Sequence, residues 1–371
     1  MTRPLVLIVG SINDIAPVKY LIKSFQESGW DTFVISDKKS ELAQMSKYGA
    51  VDVHRVISKN NLSPKFLLFV EGGEMLVFPT NFSELEFPTI WWGIDTHNDY
   101  QKHLRISLLF DYSLIAQKSY LLRLQGDGIT GLSWFPLASP IESPRHGERS
   151  IDVGYIGSTN WNLYPERKKL LQVITETVDN HVIGTRSADE MLQIYSSSKI
   201  VFNQSLKNDI NMRIFEAMGA GALLITNPIH ENGMEELFSE GTDYVTYVDV
   251  KDFKNKIQHF LLNESERNAI ALSGMTKVHA LHTYSARASE IVGLSTSGLA
   301  KTGYTRMEES AALISMGMYA DAIESFRIGL RTEARGARSK FVSNIAGPIL
   351  WATSKVAKAM EMALQARRLF S

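Results

Sequence analysis

Asp209, Arg213 and Glu216 are ionisable residues that stand four and three positions apart in the sequence. In a continuous helix this spacing places their side chains on one face. A guanidinium group there binds a phosphate through two parallel hydrogen bonds, and a carboxylate accepts hydrogen bonds from two adjacent hydroxyls, such as those of a ribose. The spacing therefore indicates a nucleotide-type ligand. The alternative is a structural role, in which Asn208 or Asp209 caps the N-terminus of the helix and Arg213 forms a surface ion pair with Glu216.

A strand, a polar loop, a helix and a second strand position these residues. The apolar run 199–202 predicts a strand, and helix-forming residues at 211–218 follow it after a polar loop. Gly219 and Gly221 then end the helix, because glycine adopts left-handed cap conformations without strain. The apolar run 222–226 predicts a strand that is buried on both faces. The start of the helix suits a phosphate, because it offers free N–H groups and a partial positive charge.

The segment NDINMRIFEAMGAGALLIT (208–226) resembles the signature of the CgeB-like glycosyltransferases, a branch of the GT-B enzymes that use nucleotide sugars. Three further segments agree with it: WWGIDTH (91–97), VGYIGS (153–158) and GMEELF (233–238). The resemblance extends over roughly residues 5–292. It implies a hexosyltransferase of the retaining group that takes a nucleotide sugar, UDP-linked, as its co-substrate and needs no other cofactor.

The resemblance also assigns roles to single residues. Retaining GT-B enzymes carry two glutamates eight residues apart, of which the second holds the donor ribose and the first contacts the donor sugar. Glu216 matches the second glutamate. Asn208 stands at the position of the first, so the resemblance assigns the sugar contact to Asn208 or to its neighbour Asp209. Asn211, at the start of the helix, and Arg213 are assigned to donor binding together with Glu216.

Glycines at strand ends indicate where backbone N–H groups meet a phosphate, because no side chain blocks the approach. Gly157 and Ser158 stand in the first turn of the second half, where GT-B enzymes contact the donor diphosphate, and Gly10 stands in the matching turn of the first half. Arg167, in the following helix, is a second candidate for neutralising the diphosphate. The alternatives are structural, since most turn glycines serve the bend of the chain and a helical arginine is usually solvated.

Asp95 and His97 follow a predicted strand at 89–94, at the edge where open α/β sheets bind ligands. We expect His97 to donate a hydrogen bond to the donor sugar or to orient the acceptor. Asp95 is a candidate general base if the reaction inverts the anomeric configuration. Trp91 and Trp92 provide flat surfaces that stack on sugars, and packing in the core explains them nearly as well.

The sequence predicts no metal requirement. His279 and His282 are three residues apart, but no further ligand cluster accompanies them, so helix packing or capping explains them better. The short Asp-x-Asp carboxylate pair with which other transferases hold a metal is not apparent. The chain contains no cysteine, which excludes disulfides, thiolate metal ligands and cysteine nucleophiles.

Length and charge limit the class of protein. The 371 residues suffice for two domains and an extension. A net charge of −1 indicates no nucleic-acid partner. The first residues lack the pattern of a signal peptide, and no apolar run reaches the roughly 20 residues needed to span a membrane. We therefore expect a cytoplasmic protein.

Short apolar strands alternate with helical segments in two series, which predicts an α/β, GT-B architecture of two doubly wound, Rossmann-like domains that face a cleft. The predicted divisions are an acceptor-side domain (1–138), an exposed proline-rich linker (139–150), a donor-binding domain (151–292) and a helical extension (293–371). Helices are also predicted at 41–48 and over 265–292, the latter broken near Gly274. The same alternation occurs in periplasmic-type binding proteins and some epimerases, so it does not determine the function.

The C-terminal extension differs from the rest of the chain in charge. Residues 331–371 contain eight Lys/Arg and two Asp/Glu, a charge of +6, so the preceding residues carry −7. Residues 306–330 predict a helical hairpin that packs on the enzyme, and 349–370 predict a basic amphipathic helix. Such a helix binds an anionic membrane surface, docks on a partner or packs in a bundle. We favour packing or partner docking over peripheral membrane association.

We therefore expect a glycosyltransferase that moves a sugar from a nucleotide-sugar donor to a glycan, protein or lipid-linked acceptor. The donor would bind the second domain, the acceptor would enter over the first, and the reaction would occur in the cleft between them. One alternative is a catalytically silent GT-B-like module that binds a partner through its helical tail. Another is a sugar-nucleotide epimerase, which converts the donor without an acceptor.

Overall fold

The computed structural model describes the following residues: 3–13, 17–73, 75–141, 148–159 and 164–332. The predicted basic helix at 349–370 and half of the predicted linker at 139–150 lie outside these ranges. None of the helices in the described ranges is both long enough and apolar enough to cross a membrane.

The first unit is built on a parallel sheet of short apolar strands. In chain order the strands of this half are β1 (Leu5–Gly10), β2 (Asp31–Ser36), β3 (Met45–Ser46), β4 (Gly49–Asp52), β5 (Pro64–Val70), β6 (Val77–Thr80), β7 (Thr89–Gly93), β8 (Tyr112–Ile115) and β9 (Leu132–Trp134). Seven of them form one sheet in the order β3-β2-β1-β5-β7-β8-β9, while β4 and β6 pair separately. The direction in which strands are added reverses between β1 and β5, as in a doubly wound fold.

The second unit repeats this plan with fewer strands. They are β10 (Ile151–Ile156), β11 (His181–Gly184), β12 (Ser198–Phe202), β13 (Leu223–Thr226) and β14 (Val245–Thr246). The parallel order is β11-β10-β12-β13-β14, so the reversal lies between β10 and β12. Strand β13 is buried along its whole length, as its continuous apolar run predicts for a strand covered on both faces.

Helices cover both faces of the two sheets. In chain order they are α1 (Val18–Glu27), α2 (Val53–Asn60), α3 (Tyr100–Ser107), α4 (Leu121–Gly126), α5 (Pro165–Thr177), α6 (Ala188–Ser197), α7 (Met212–Gly219), α8 (Met234–Leu237), α9 (Val250–Leu262), α10 (Glu264–Leu281), α11 (Tyr284–Ser295), α12 (Arg306–Ser315) and α13 (Tyr319–Thr332). The two-unit architecture with a helical extension predicted from the alternation is confirmed.

The helix predicted at 41–48 is wrong. The chain there runs beside β2 and forms β3, followed by β4. The amide oxygen of Gln44 accepts a hydrogen bond from Val34 N at 2.7 Å, and Lys47 N donates to Ser36 O at 2.8 Å. An edge of the sheet therefore binds this segment, and its tertiary pairing overrides its helical composition.

The break predicted near Gly274 is also wrong. Helix α10 continues through this glycine and ends at Leu281, and α11 begins after a short turn at His282 and Thr283. A Cβ at Gly274 would overlap the carbonyl oxygen of Asp243, so this glycine permits close packing inside the helix. The turn forms where Ser139 N donates to His282 O at 2.8 Å. Contact with the segment joining the two units thus determines where the helix ends.

Helix α11 returns the chain to the first unit. It packs on α1, where the rings of Tyr20 and Tyr284 stack 5.1 Å apart. Arg287 Nε donates to the carbonyl oxygen of Pro136 at 2.9 Å. The domain limit placed at residue 292 therefore falls inside a helix that belongs to the packing of both units.

The predicted hairpin of the extension is formed by α12 and α13, and it packs on the first unit. The hydroxyl of Tyr304 donates to Glu309 Oε2 at 2.7 Å and accepts from Phe82 N at 2.8 Å. Asn81 N also donates to Glu309 Oε2 at 2.8 Å. The buried side chain of Leu313 extends the apolar core of the first unit. The hairpin is therefore an integral part of this unit.

Candidate functional site

A cavity of about 1060 Å³ lies at the carboxyl ends of β10 and β12, where the strand order of the second sheet reverses. This is the position at which open α/β sheets leave a crevice for ligands, because the loops after the two strands diverge. Its walls come mainly from the second unit: Ile156, Gly157, Ser158, Thr159, Tyr164, Arg167, Thr185, Arg186, Ala188, Met191, Gln204, Leu206, Lys207, Asp209, Asn211, Met212, Arg213 and Glu216. The first unit contributes His97 and Asn98.

Arg213 is anchored at the floor of the cavity by neutral oxygens. It stands in the first turn of α7, and its Nε and Nη2 donate to Ile156 O at 3.2 and 3.0 Å. Its Nη1 donates to Asn203 Oδ1 at 2.9 Å. These bonds occupy three of the five N–H groups that a guanidinium carries, so the side chain is held in place with donor capacity left over.

Gly157 makes room for this guanidinium. A Cβ at position 157 would overlap Arg213 Nη2, so a side chain there would displace the arginine. The N–H of Gly157 donates to Gly184 O at 2.9 Å within the sheet. The glycine therefore lies at the predicted place, but its N–H is engaged in strand pairing, and its contribution is space for Arg213.

Arg167 and Arg213 share one aromatic ring. Their guanidinium carbons lie 5.9 and 4.6 Å from the ring centre of Tyr155, and Arg167 also lies 4.4 Å from the ring of Tyr164. In the described ranges the hydrogen-bond acceptors of both arginines are neutral oxygens. Burial lowers the pKa of Arg167, and the nearby charge of Arg213 adds to this effect. Two buried cations thus line the cavity without a carboxylate bonded to either.

Glu216 stands one turn after Arg213 and is 6% exposed. Burial raises the pKa of its carboxyl to about 7, and the charge of Arg213 only partly offsets this. No hydrogen bond from a residue in the described ranges stabilises the carboxylate. A buried acceptor without a donor is unfavourable, and two adjacent hydroxyls of a ligand would supply the missing donors.

Four further polar atoms in the cavity wall lack hydrogen-bond partners within the described part of the chain. They are His97 Nδ1, Arg167 Nε, Gln204 Oε1 and Asn211 Oδ1, and each is buried. Asn211 occupies the N-cap position of α7, but its side chain makes no capping bond. Because buried polar atoms in folded proteins are normally paired, this concentration indicates a polar ligand.

The three-residue helical face predicted for Asp209, Arg213 and Glu216 is wrong in its first member. Helix α7 begins at Met212, so Asp209 lies in the preceding loop. Asp209 N donates to Leu206 O at 3.0 Å in a turn whose two central residues, Lys207 and Asn208, have positive φ angles. The turn nevertheless brings Asp209 to the cavity beside the other two side chains.

Asn208 and Asp209, the two candidates for the sugar contact, point in different directions. The side chain of Asn208 is exposed and accepts from His230 N at 3.4 Å, outside the cavity wall. Asp209 lines the cavity and accepts from Gln117 Nε2 at 2.9 Å. Burial raises the pKa of Asp209 to about 7, the Gln117 bond lowers it, and the charge of Asp95 raises it. Of the two, the structure brings Asp209 to the site.

A buried carboxylate holds the loop of the first unit that faces the cavity. Glu71 accepts from Ile94 N at 2.5 Å and Asp95 N at 2.9 Å, and it contacts His103 Nε2 at 3.2 Å. This loop presents His97 to the cavity, whereas Asp95 is not part of the wall. Glu71 thus gives a fixed geometry to the residues that follow β7.

Burial determines the protonation of the two candidates in this loop. It raises the pKa of Asp95 to about 6, with the charge of Glu71 adding to the rise. It lowers the pKa of His97 to about 4, and the charge of Lys207 adds to this fall. His97 is therefore a neutral imidazole at pH 7, able to act as a hydrogen-bond donor or acceptor.

Comparison with known proteins agrees with this geometry. A sequence profile described as glycosyl transferase-like matches residues 148–293, which cover the second unit and most of α11. A search of curated proteins found no significant sequence match. Among solved structures, sucrose-phosphate synthase from Thermosynechococcus elongatus aligns with a TM-score of 0.56 at 11% identity, over 79% of this chain and 98% of its own. The Anabaena protein HepE in complex with UDP and glucose aligns with a TM-score of 0.55 at 9% identity, over 80% and 100%.

A glycosyltransferase from Rickettsia africae aligns with a TM-score of 0.57 at 10% identity, over 80% of this chain and 98% of its own. The fold is GT-B. At such identities the likeness establishes the GT-B fold alone, and the activity must be argued from the site.

Some predicted residues of this GT-B chain lie away from the cavity. Gly10 packs between Val70 O and the side chain of Val18, so the turn after β1 is part of the apolar core. Trp91 and Trp92 are fully buried, which agrees with their packing interpretation. No cluster of three or more metal-binding side chains occurs in the described ranges.

The sequence analysis missed Glu71 and Gln117, which follow β5 and β8. Both stand at the carboxyl ends of sheet strands, so the rule that singled out Asp95 would have found them too. Lys207 was also missed; its Nζ donates to Asn98 Oδ1 at 3.1 Å across the gap between the units. Its position depends on a tight turn for which the sequence carries no glycine signal.

Proposed function

We propose that the protein is a glycosyltransferase that moves a hexosyl group from a nucleotide sugar, UDP-linked, to a glycan, protein or lipid-linked acceptor. The observation that carries this proposal is the pair of buried guanidinium groups of Arg167 and Arg213 over Tyr155. Two cations that lack anionic hydrogen-bond partners among the described residues need an anion of matching charge. A diphosphate meets this need, because each guanidinium can bind phosphate oxygens through parallel hydrogen bonds.

The cavity wall contains polar side chains for both the ribose and the sugar of such a donor. Glu216 accepts hydrogen bonds from the two ribose hydroxyls, which supply donors that the described residues do not provide to its carboxylate. The sugar lies toward the first unit, between Asp209 and His97. The acceptor enters over the first unit. Most of the rate gain comes from positioning the reactants and from stabilising the charge that develops on the departing diphosphate.

Two finer features belong to the same proposal. Retention of anomeric configuration and membership of the CgeB-like subgroup are supported by the resemblance of residues 208–226. Retention is further supported by Asp95, the candidate base of an inverting reaction, which is not part of the cavity wall. A metal-independent reaction is supported by Arg167 and Arg213, which supply positive charge where other transferases place a cation. Activity that persists in EDTA and an NMR assignment of the product anomer test these features.

The comparisons support the same class of reaction. The profile that matches the second unit is described as glycosyl transferase-like, and HepE was crystallised with UDP and glucose. The catalytically silent alternative shares the binding prediction but expects no turnover. The epimerase alternative expects a changed sugar nucleotide without an acceptor.

The test is calorimetric binding of UDP and of uridine, followed by turnover of several UDP- and GDP-sugars. We expect wild type to bind UDP at least tenfold more tightly than uridine, because two charge-assisted contacts depend on the diphosphate. Arg213→Met should reduce this preference, and Arg55→Met, which changes an exposed arginine of the first unit, should preserve it. Equal binding of UDP and uridine by wild type would contradict the proposal. Binding without release of free nucleotide from any donor would favour the silent module.

A further inference from the structure

Gln117 lies at a junction between the two units. It follows β8 in the first unit, and its side chain is 1% exposed. One end of the amide contacts the loop that carries Asp95 and His97, through Thr96 N at 3.2 Å. The other end contacts Asp209 of the second unit at 2.9 Å. A single buried side chain therefore touches both walls of the sugar end of the cavity.

The chemistry of these partners determines the orientation of the amide. The N–H of Thr96 can only donate, so the atom that faces it must be the amide oxygen of Gln117. The amide nitrogen then faces Asp209 Oδ1 and donates to it. Gln117 can therefore only donate to Asp209. The accepting oxygen belongs either to the ionised carboxylate or to the carbonyl of the neutral acid.

The surroundings of Asp209 make this donor important. The charged group that acts on its carboxyl from the first unit is another acid, Asp95. Lys207, in the same loop, directs its Nζ to His97 O and Asn98 Oδ1. On the remaining side, Glu216 and Arg213 of α7 line the same cavity, while His97 is a neutral imidazole at pH 7. Gln117 is thus the neutral donor that compensates for burial and for the repulsion by Asp95.

We propose that Gln117 is a positioning residue for the transfer reaction, which holds the Asp209 carboxylate ionised and aimed at the donor sugar once the two units are in contact. The proposal rests on the proposed function for its kinetic consequence. Its structural content, the hold of Gln117 on Asp209, is independent of any activity. Because the same amide accepts a hydrogen bond from Thr96, it also fixes the position of the loop that carries His97 relative to Asp209.

Other bonds across the gap do not share this property. Ser119 donates from N and Oγ to Asn232 Oδ1 at 3.1 and 3.2 Å, and Lys118 pairs with Glu236. These contacts join the units but do not touch a carboxyl group in the cavity wall. Ser119→Ala is therefore the matched control, since it removes an interunit hydrogen bond two residues away and leaves Asp209 untouched.

The experiment measures the carboxyl pKa of Asp209 by ¹³C NMR titration in wild type, Gln117→Met and Ser119→Ala, with Asp209→Asn to assign the signal. Loss of the donor in Gln117→Met, which has nearly the same shape, should raise the pKa by about one unit. Ser119→Ala should leave it unchanged. Gln117→Glu keeps the acceptor for Thr96 but removes the donor, so it should raise the pKa at least as much. It provides the same test if the methionine variant does not fold.

The kinetic measurement uses the same variants with a UDP-sugar. Gln117→Met should lower kcat about tenfold or more and move the acid limb of its pH profile upward by the measured pKa change. The dissociation constant of UDP should change less than threefold, because Arg167 and Arg213 are untouched. An unchanged pKa in both Gln117 variants would overturn the proposal. A wild type that turns over no donor would refute the proposed function instead, while the titration would still decide the hold of Gln117 on Asp209.

Discussion

The turns after β1 and β10 have the same local sequence and serve different purposes. Each is the first strand of its sheet in chain order, and a Gly-Ser pair stands at its carboxyl end, with Gly10 in the first unit and Gly157 in the second. A Cβ at Gly10 would meet Val70 O at 2.8 Å and Val18 Cγ2 at 2.9 Å, so backbone and an aliphatic side chain fill that turn. A Cβ at Gly157 would overlap the guanidinium of Arg213. One glycine permits core packing, and the other permits a buried cation.

This difference favours the second unit as the place of the proposed donor site. In the first unit, α1 begins with an apolar residue, Val18, which packs into the crevice at the reversal of the sheet. In the second unit, the corresponding crevice receives Arg213 and remains open as a cavity. Two sheets of the same topology therefore offer the same crevice, and the side chain that enters it decides whether it becomes core or site.

The largest effect should come from the cation that is anchored least. Arg167→Met should weaken UDP binding by about tenfold to a hundredfold, because a charge-assisted contact to the diphosphate is lost. Whereas Arg213 donates to Ile156 O and Asn203 Oδ1 at 2.9–3.2 Å, the Nη2 of Arg167 donates to Gln204 O at the longer distance of 3.5 Å. The free variant should therefore unfold at a temperature no lower than wild type, since a buried charge is removed. Calorimetry with UDP and thermal unfolding without it check both parts, and unchanged UDP affinity would contradict the site.

The two glycines allow a direct test of the comparison. Gly157→Ala should weaken UDP binding about tenfold by displacing Arg213, with a modest change in stability. Gly10→Ala should lower the free energy of unfolding by about 2 kcal/mol through overpacking of the core and leave UDP affinity unchanged. Denaturant unfolding and UDP titration of both variants check this. The same effect on affinity at both positions would mean that the two turns do not differ as described.

The buried carboxylate of Glu216, which the proposal assigns to ribose binding, should lower the free energy of unfolding at high pH. Its pKa is raised from 4.5 to about 7 in the folded protein, so the folded state binds more protons between these values and loses stability as pH rises through them. Glu216→Gln should therefore be more stable than wild type by about 2 kcal/mol at pH 8 and show no gain at pH 4.5. Unfolding curves of the ligand-free proteins at both pH values check the sign. The variant should also lose its preference for UDP over 2′-deoxy-UDP, which keeps the diphosphate and lacks one ribose hydroxyl.

The smallest effect should come from Lys207, an exposed residue of the cavity wall that donates hydrogen bonds to the first unit. Lys207→Met removes the hydrogen bonds to His97 O at 3.3 Å and Asn98 Oδ1 at 3.1 Å while keeping the length of the side chain. Exposed polar contacts of this kind contribute up to about 1 kcal/mol, so KM for the donor should rise no more than about fivefold. Steady-state kinetics with a UDP-sugar measure this. A loss as large as that of Arg167→Met would show that the first unit contributes more to donor binding than the comparison implies.

The local sequence pattern predicted most of the architecture. It failed where a segment distant in the sequence packs against the predicted element. Strands β7, β12 and β13 match the apolar runs at 89–94, 199–202 and 222–226 closely, because a strand between two helical layers must be apolar on both faces. Residues 41–48 resemble a helix in composition but pair with β2 through Gln44 and Ser36. Gly274 resembles a helix breaker but lies inside α10 against Asp243. In both cases the deciding contact comes from a segment that is distant in sequence.

The site residues also fall into two groups, those that local spacing predicted and those that only the folded structure revealed. Arg213 and Glu216 could be predicted from their spacing, since both lie on α7 and a helix relates them by a single turn. The choice of Asp209 over Asn208, the exclusion of Gly10 and the role of Gln117 required the folded chain. Left-handed turn geometry at Lys207 and Asn208 directs those side chains, and Gln117 meets Asp209 across a gap of 92 residues.

By itself, therefore, the sequence determined which elements form and that an arginine and a glutamate share one helical turn, because these depend on periodicities of a few residues. Only the tertiary structure decided which glycine turn becomes a site, which polar atoms stay without partners, and which first-unit side chain meets Asp209. Those outcomes depend on the packing of segments that a local pattern cannot relate.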